Sequence, residues 1–258
     1  VKKHQTPYSS CMSEKLSPKQ LEILQRKPLI LEAACDIIRS QGYSGLNMNK
    51  IAQAIGCARG TIYSDYQNKE EILAELVIRN LQRMVDLFDR ALQYPGRTRE
   101  KMLAVMVAYE LFIKLYPEDF KDFQILKNVS IREKLRADQL AEISRLENHG
   151  IACSAAVVVE ALELSELKLR EVSPEQLVFG CWSMAFGTAS LQFSDIPLDE
   201  LGIQNPLQTA HIHGRHMFDG YNWQPLSSEW DYEASRKDIL SSIFAAELTQ
   251  LTSTGVSI

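Results

Sequence analysis

The chain has 258 residues, 45% hydrophobic and 24% charged, which is ordinary globular usage with length for one large domain or two of common size. Its formal net charge of −5 and pI near 5.6 exclude a protein that coats nucleic acid through bulk positive charge, but not one with a local basic face. No apolar run approaches the roughly 20 residues of a membrane span and no signal peptide opens the sequence. The five cysteines, at 11, 35, 57, 153 and 181, contain no CxxC pair. No membrane partner, disulfide framework or metal site is therefore expected, and the thiols read as reduced side chains of a cytoplasmic protein.

Residues 1–25 are polar and irregular and read as an arm. From there helical periodicity dominates and strand alternation is nearly absent, so the fold class is all-α. Ile30, Ala33, Ala34, Ile37 and Ile38 mark one buried face of a first helix, which Gly42 ends as a left-handed cap. Asn47 caps a short second helix carrying Ile51, Ala52 and Ile55; Gly56 stops it, and a third begins near Ala58. Asn68 and Glu71 form a capping box for a fourth helix running to about Gln93, broken by Tyr94-Pro95-Gly96.

Met102, Met106, Tyr109, Ile113 and Tyr116 predict a further helix, and Pro117 starts another. Ser130 and Glu133 predict a capping box that opens a long helical region interrupted near Gly150. Ser173-Pro174 and Asn205-Pro206 are two more start signals, with Gly220 closing the latter element. A last helix is predicted over Tyr232 to Leu251, with Leu240, Ile243, Phe244, Leu248 and Leu251 inward.

The stretch 51–73, IAQAIGCARGTIYSDYQNKEEIL, carries the functional signal. Two short helices that cross steeply need a small side chain at the crossing and a left-handed residue in the turn. Ala52 and Gly56 meet those needs, while Ile51, Ile55 and Ile62 can lock both helices to the first. This predicts a helix-turn-helix with Arg59, Thr61, Tyr63 and Ser64 on the outward face of its third helix. Arginine can donate a bidentate pair to guanine, hydroxyls suit phosphates, and Gly60 permits close approach of the backbone. Lys69, in the first turn of the fourth helix, is placed to meet a phosphate.

The ordered string from Ile51 to Leu73 resembles the DNA-binding domain of the TetR family of transcriptional regulators, over about residues 26–73. The resemblance implies an N-terminal three-helix DNA-binding domain followed by a larger helical ligand-sensing and dimerisation domain over 74–258. It also implies a homodimer on double-stranded palindromic operator DNA, usually a repressor released by a small-molecule effector. By position, Arg59, Gly60, Thr61, Tyr63, Ser64 and Lys69 would face DNA, with Asn49 and Lys50 supporting from helix two. Two residues depart from the pattern. Ala58 stands where Ser or Thr is common, and Asp65 where an aromatic or basic residue is, so an acid facing DNA would repel phosphates. Residues 26–73 hold six basic side chains (Arg26, Lys27, Arg39, Lys50, Arg59, Lys69) and five acidic (Glu32, Asp36, Asp65, Glu70, Glu71), a net charge of only +1. Affinity is therefore expected to lean on dimerisation and on Lys2, Lys3, Lys15 and Lys19 in the arm.

In the remaining chain, Gly180, Ser183, Gly187 and Ser190 form a stripe of small residues suited to close helix approach, the candidate dimer interface. Tyr109, Phe112, Trp182 and Phe186 are candidates for an apolar effector pocket. His211, His213 and His216 cluster, but no carboxylate or thiol accompanies them at ligand spacing. No cofactor motif, nucleophile elbow, phosphate loop or HExxH is found, so an all-α enzyme is the weaker alternative. A DNA-bound adaptor governed by a protein partner is another.

Overall fold

The computed structural model describes the backbone of residues 18–255 and the side chains of residues 22–255. About three-quarters of the described residues are helical, and none of them is in a strand. No described helix is long and apolar enough to cross a membrane. Helices follow in the order α1 Pro18–Gly45, α2 Met48–Ala54, α3 Arg59–Asp65, α4 Lys69–Ala91, α5 Thr98–Leu115, α6 Pro117–Leu126, α7 Val129–Arg132, α8 Ala137–Glu163, α9 Pro174–Gln192, α10 Pro206–Gly220, α11 Tyr232–Ser242 and α12 Ala245–Ser253. The backbone divides into two compact units, one ending at Ile72 and one beginning at Leu73.

In the first unit α1, α2 and α3 pack on one another. Ile30, Ala34, Ile37, Ile38, Ile51, Ala52 and Ile62 are buried, as the periodicity predicts. Gly42 breaks the regular helix with φ 69° and ψ 173°, and one extra turn follows before α2. Asn47 accepts a hydrogen bond from the Lys50 N–H at 3.0 Å, capping α2. Gly56 takes φ 70°, the left-handed conformation that the tight turn into α3 demands. The expected arm is shorter than its sequence suggests: α1 already begins at Pro18, and residues 18–25 are helical. Proline suits the first turn of a helix, where its missing N–H costs nothing. Lys2, Lys3 and Lys15 lie outside the described residues, as does the side chain of Lys19.

The second unit is built around α5, which is buried along most of its length and packs on α6, α8, α11 and α12. Helix α9 packs between α8 and α10. Arg99 of α5, 1% exposed, gathers the segment between α10 and α11. Its guanidinium donates to the carbonyls of Trp223 (2.6 Å), Pro225 (2.8 Å) and Arg215 (3.0 Å), pairs with Asp219 at 2.8 Å and lies over the Tyr232 ring.

Three predicted boundaries are corrected. Ser130 does not open a long helix: Asn128 caps the one-turn α7, with its side chain accepting from the Ser130 N–H at 3.0 Å, and Glu133 ends it. The long helix starts only at Ala137. It then runs unbroken through Gly150, because one glycine costs a helix interior only about 1 kcal/mol against alanine and the packed neighbours of a long helix offset it; the Phe88 ring covers the site. The last predicted helix is two, α11 and α12, joined at Ile243 and Phe244. Both halves bury the predicted residues Leu240, Phe244 and Leu251, and the bend lets them share one core with α5.

Candidate nucleic-acid interface and effector cavity

In the first unit α3 presents Arg59, Gly60, Tyr63 and Ser64 to solvent and leaves Thr61 half-buried, while Ile62 is fully buried on the opposite face. No side chain caps α3 at Ala58, as its sequence anticipates. Arg59 donates to the Tyr63 hydroxyl at 2.9 Å and lies 5.0 Å from the centre of its ring, so one residue pair pre-orients both tips on the outer face. Ser64 donates to the Thr61 carbonyl at 2.7 Å. A side chain at Gly60 would meet open space, so internal packing does not require glycine there.

Asn49, Arg59, Tyr63 and Lys69 line one open groove of about 260 Å³ together with Asn47, Met48, Gln67 and Asn68. Lys69 is half-buried, its ammonium 3.3 Å from the Tyr43 carbonyl and 4.2 Å from the centre of the Tyr43 ring. Asn68 accepts from the Glu71 N–H at 2.8 Å, and the Glu71 carboxylate accepts from the Gln67 N–H at 3.1 Å. Lys50 turns back onto α1, donating to the Gly45 carbonyl at 3.1 Å and to the Gln41 side chain, and does not line the groove.

Asp65, whose carboxylate would repel phosphates if it faced outward, turns inward instead. Asp65 is 1% exposed in its side chain and accepts two hydrogen bonds from the Arg26 guanidinium, at 2.8 and 3.1 Å. Arg26 in turn pairs with Glu22 at 3.1 Å. The pair joins α1 to the end of α3, so Asp65 is a structural partner, and its removal from the tally takes out one charge of each sign and leaves the region at +1.

In the second unit a cavity of about 210 Å³ lies among α4, α5, α6, α8 and α9. Tyr109, Phe112 and Trp182 line it, with Met84, Phe88, Met106 and Ile151 among the other apolar walls. Phe186 does not line it but packs behind, 6.0 Å from Trp182 and 5.5 Å from Phe120 between ring centres. Periodicity did not distinguish the lining residues from plain core because both sit on the same faces of α5 and α9. It also missed Asn80 on α4, which is 2% exposed, lines the cavity, and has neither amide atom hydrogen-bonded. Burial also raises the Tyr109 hydroxyl above its ordinary pKa, so it stays protonated. At the same cavity Lys127 pairs with Glu147 at 2.7 Å and stacks over Phe123.

The small stripe on α9 is divided. Ser183 is exposed and a Cβ at Gly187 would meet open space, whereas Gly180 lies near Met217 of α10 and the Ser190 hydroxyl is buried without a hydrogen-bond partner. Phe179 (61% exposed) and Leu191 (47%) flank the open part. Of the histidines, His211 is not isolated from carboxylates: Glu110 of α5 lies 3.0 Å from its Nε2, and the same buried carboxylate meets Lys114 at 2.7 Å and Arg236 at 2.8 Å. That partner is 101 positions away, beyond any spacing rule. His213 and His216 are exposed.

Residues 30–76 match the family model described as bacterial regulatory proteins, tetR family. Over 101 residues the chain is 32% identical to the uncharacterized HTH-type transcriptional regulator YhgD of Bacillus subtilis (strain 168), covering 39% of this chain and 53% of that protein. It is 31% identical over 77 residues to the fatty acid metabolism regulator protein of the same organism, covering 30% of this chain and 40% of that one. The chain thus spans about half the length, or less, of these curated relatives. The crystal structure of the TetR family transcriptional regulator PfmR from Thermus thermophilus superposes with a TM-score of 0.55 at 20% identity, covering 72% of this chain and 94% of that one, a likeness of fold. The buried α1–α3 core, the left-handed turn at Gly56 and the matched sequence agree: residues 30–76 are a helix-turn-helix domain of the tetR family of bacterial regulatory proteins.

Proposed function

We propose that the protein is a cytoplasmic, dimeric, sequence-specific transcriptional regulator, a repressor that leaves a palindromic DNA operator when a small apolar molecule binds its second unit. The observation that carries this reading is the exposed face of α3, where Arg59 and Tyr63 are held together over a groove shared with Asn49 and Lys69. A recognition helix needs such a face: base-reading donors at the centre and phosphate-binding groups at the edge. Arg59 reads guanine, Tyr63, Thr61 and Ser64 hold sugar or phosphate, and Lys69 neutralises a phosphate by leaving Tyr43. Asn49 supports from α2 within the groove, Lys50 reaches DNA from α2 only by releasing the Gly45 carbonyl and the Gln41 side chain, and Gly60 leaves room for the duplex backbone.

The effector reading rests on the cavity. Its walls are mostly aromatic and aliphatic, with an unpaired Asn80 amide and the Tyr109 hydroxyl as polar points. Such a site takes a compact apolar molecule with one neutral group that both donates and accepts, such as an amide, an alcohol or a carboxylic acid bound in its protonated form. At about 210 Å³ it is smaller than the ~300–1,000 Å³ of pockets for drug-sized ligands. The relative named for fatty acid metabolism is consistent with an apolar effector. The dimer reading rests on α9, whose Phe179, Ser183, Gly187 and Leu191 form an apolar, partly open face.

The experiment is selection of a binding site from random duplexes by the purified protein, followed by footprinting with and without medium-chain fatty acids, amides and alcohols. A palindromic site protected by the wild type, with protection lost at one base position in Arg59→Ala, supports the reading. Selection of no sequence would overturn it.

A further inference from the structure

Outside the groove and the cavity, one cluster of side chains has no part in either. Asp89 of α4 and His149 and Cys153 of α8 bring a carboxylate, an imidazole and a thiol together on the surface of the second unit. His149 and Cys153 are four residues apart on one helix, hence on one face. His149 Nε2 lies 2.8 Å from Asp89 Oδ1 and 3.3 Å from Cys153 Sγ, and the sulfur is 3.8 Å from the same carboxylate oxygen.

The geometry distinguishes two kinds of site. A nucleophile relay places thiol and carboxylate on opposite nitrogens of the imidazole, so that a proton passes across the ring. Here both partners face the same nitrogen, and three ligand atoms converge on a single point. Tetrahedral coordination at the usual Zn–S, Zn–N and Zn–O lengths (about 2.3, 2.0–2.1 and 2.0–2.2 Å) separates ligand atoms by about 3.4–3.6 Å. The three observed separations lie within about 0.6 Å of that range, a change that side-chain torsions supply without moving either helix.

We propose that Asp89, His149 and Cys153 form a Zn(II)-class metal site that ties α4 to α8. The ligand set selects the ion: calcium and magnesium prefer oxygen alone, whereas thiolate with imidazole and carboxylate suits zinc or a neighbouring late first-row divalent ion. Asp89 is exposed and the other two are half-exposed, which gives the ion a path in and leaves a fourth position for water. Binding displaces the thiol proton to solvent and requires the neutral imidazole. The place also matters. Phe88, next to Asp89, and Asn148 and Gly150, on either side of His149, line the effector cavity. A bound ion therefore fastens two walls of that cavity at their outer edge. The sequence did not suggest this, because its H-x3-C spacing is incomplete without an aspartate 60 residues earlier.

The test uses the full chain stripped of metal with chelator. Titration with Zn(II) followed by calorimetry, and with Co(II) followed by absorbance, should show one ion per chain and a thiolate-to-cobalt charge-transfer band. Cys153→Ser should abolish the band, and His149→Ala and Asp89→Asn should each weaken binding by more than about tenfold, at least the loss seen for an outer-shell partner. Cys181→Ser should bind as wild type does. A second readout needs no variant: one equivalent of Zn(II) should slow alkylation of Cys153 by iodoacetamide, mapped by peptide mass, and leave Cys57 unaffected. Absence of stoichiometric binding, a band that survives Cys153→Ser, or unprotected Cys153 would each overturn the proposal. DNA binding enters none of these measurements, so the proposal stands or falls separately from the regulatory reading.

Discussion

Arg26 and Asp65 form a two-hydrogen-bond ion pair that closes α1 onto the end of α3, with the aspartate 1% and the arginine 14% exposed in their side chains. The pair puts an acid at the end of the helix proposed to read DNA without exposing it to phosphate. Its two parallel N–H···O bonds favour one relative placement of the two helices.

Asp65→Asn should therefore destabilise the first unit and not strengthen non-specific DNA binding. Removing one member of a buried pair leaves the other unpaired, at a cost of about 3 kcal/mol, the low end for such pairs because Arg26 keeps some solvent contact. Urea unfolding of wild type and variant, with a fluorescence titration on random duplex, tests both parts. Tighter non-specific binding at unchanged stability would mean that Asp65 faces the duplex after all.

Arg59→Ala and Lys69→Ala should lose DNA affinity in different ways. The arginine variant should lose about 1–3 kcal/mol per half-site and relax preference at one base. The lysine variant should weaken all sequences alike and lower the salt slope, because its proposed contact is with phosphate. Binding isotherms on the selected operator and on a scrambled duplex, across a salt series, separate the two patterns. A uniform loss for Arg59→Ala would reassign it to the backbone.

Asn80→Leu should raise the melting temperature of the ligand-free protein. Both atoms of the buried amide lack partners, and an unsatisfied buried group costs about 1–3 kcal/mol. The same substitution should blunt the response of the DNA complex to any effector with a hydrogen-bonding head group. A lower melting temperature would indicate that ordered water already satisfies Asn80.

Gly187→Leu should leave the protomer intact, because the new side chain enters open space. If α9 forms the dimer interface, sedimentation should show dissociation while circular dichroism and thermal unfolding at low concentration stay unchanged. A dimer of wild-type stability would move the interface elsewhere.

Stability of the second unit should fall below the ordinary carboxylate range. Burial pushes the Glu110 carboxyl up, but the hydrogen bond from His211 and the charges of His211, Arg236 and Lys114 outweigh it and hold the group well below its usual value. A carboxylate so depressed stabilises the fold fully above the unfolded value of about 4.3 and loses that contribution as pH falls beneath it. Glu110→Gln should lower stability at pH 7 and flatten this acid limb in chemical denaturation followed from pH 7 to 3. An unchanged acid limb would show that other carboxylates set it.

What the sequence determined by itself was local. Gly42, Asn47, Gly56 and Ser173 act within a few residues of themselves, by positive φ or by capping, so their helix ends and the whole helix-turn-helix order were readable. Burial of Ile51 and Ile62 and exposure of Arg59 and Tyr63 followed from helical period alone. Tertiary structure decided everything that depends on a distant partner. Asp65 became an interior residue because Arg26 lies against it, and His211 joined an ion-pair network through Glu110. Phe186 stands behind the cavity and Asn80 in its wall, although Phe186 belongs to a helix that is apolar nearly all round and Asn80 to an amphipathic one, and neither pattern labels lining apart from core. Asp89, His149 and Cys153 meet because α4 and α8 lie side by side, and side chains 60 residues apart acquire joint chemistry only when packing brings them within reach.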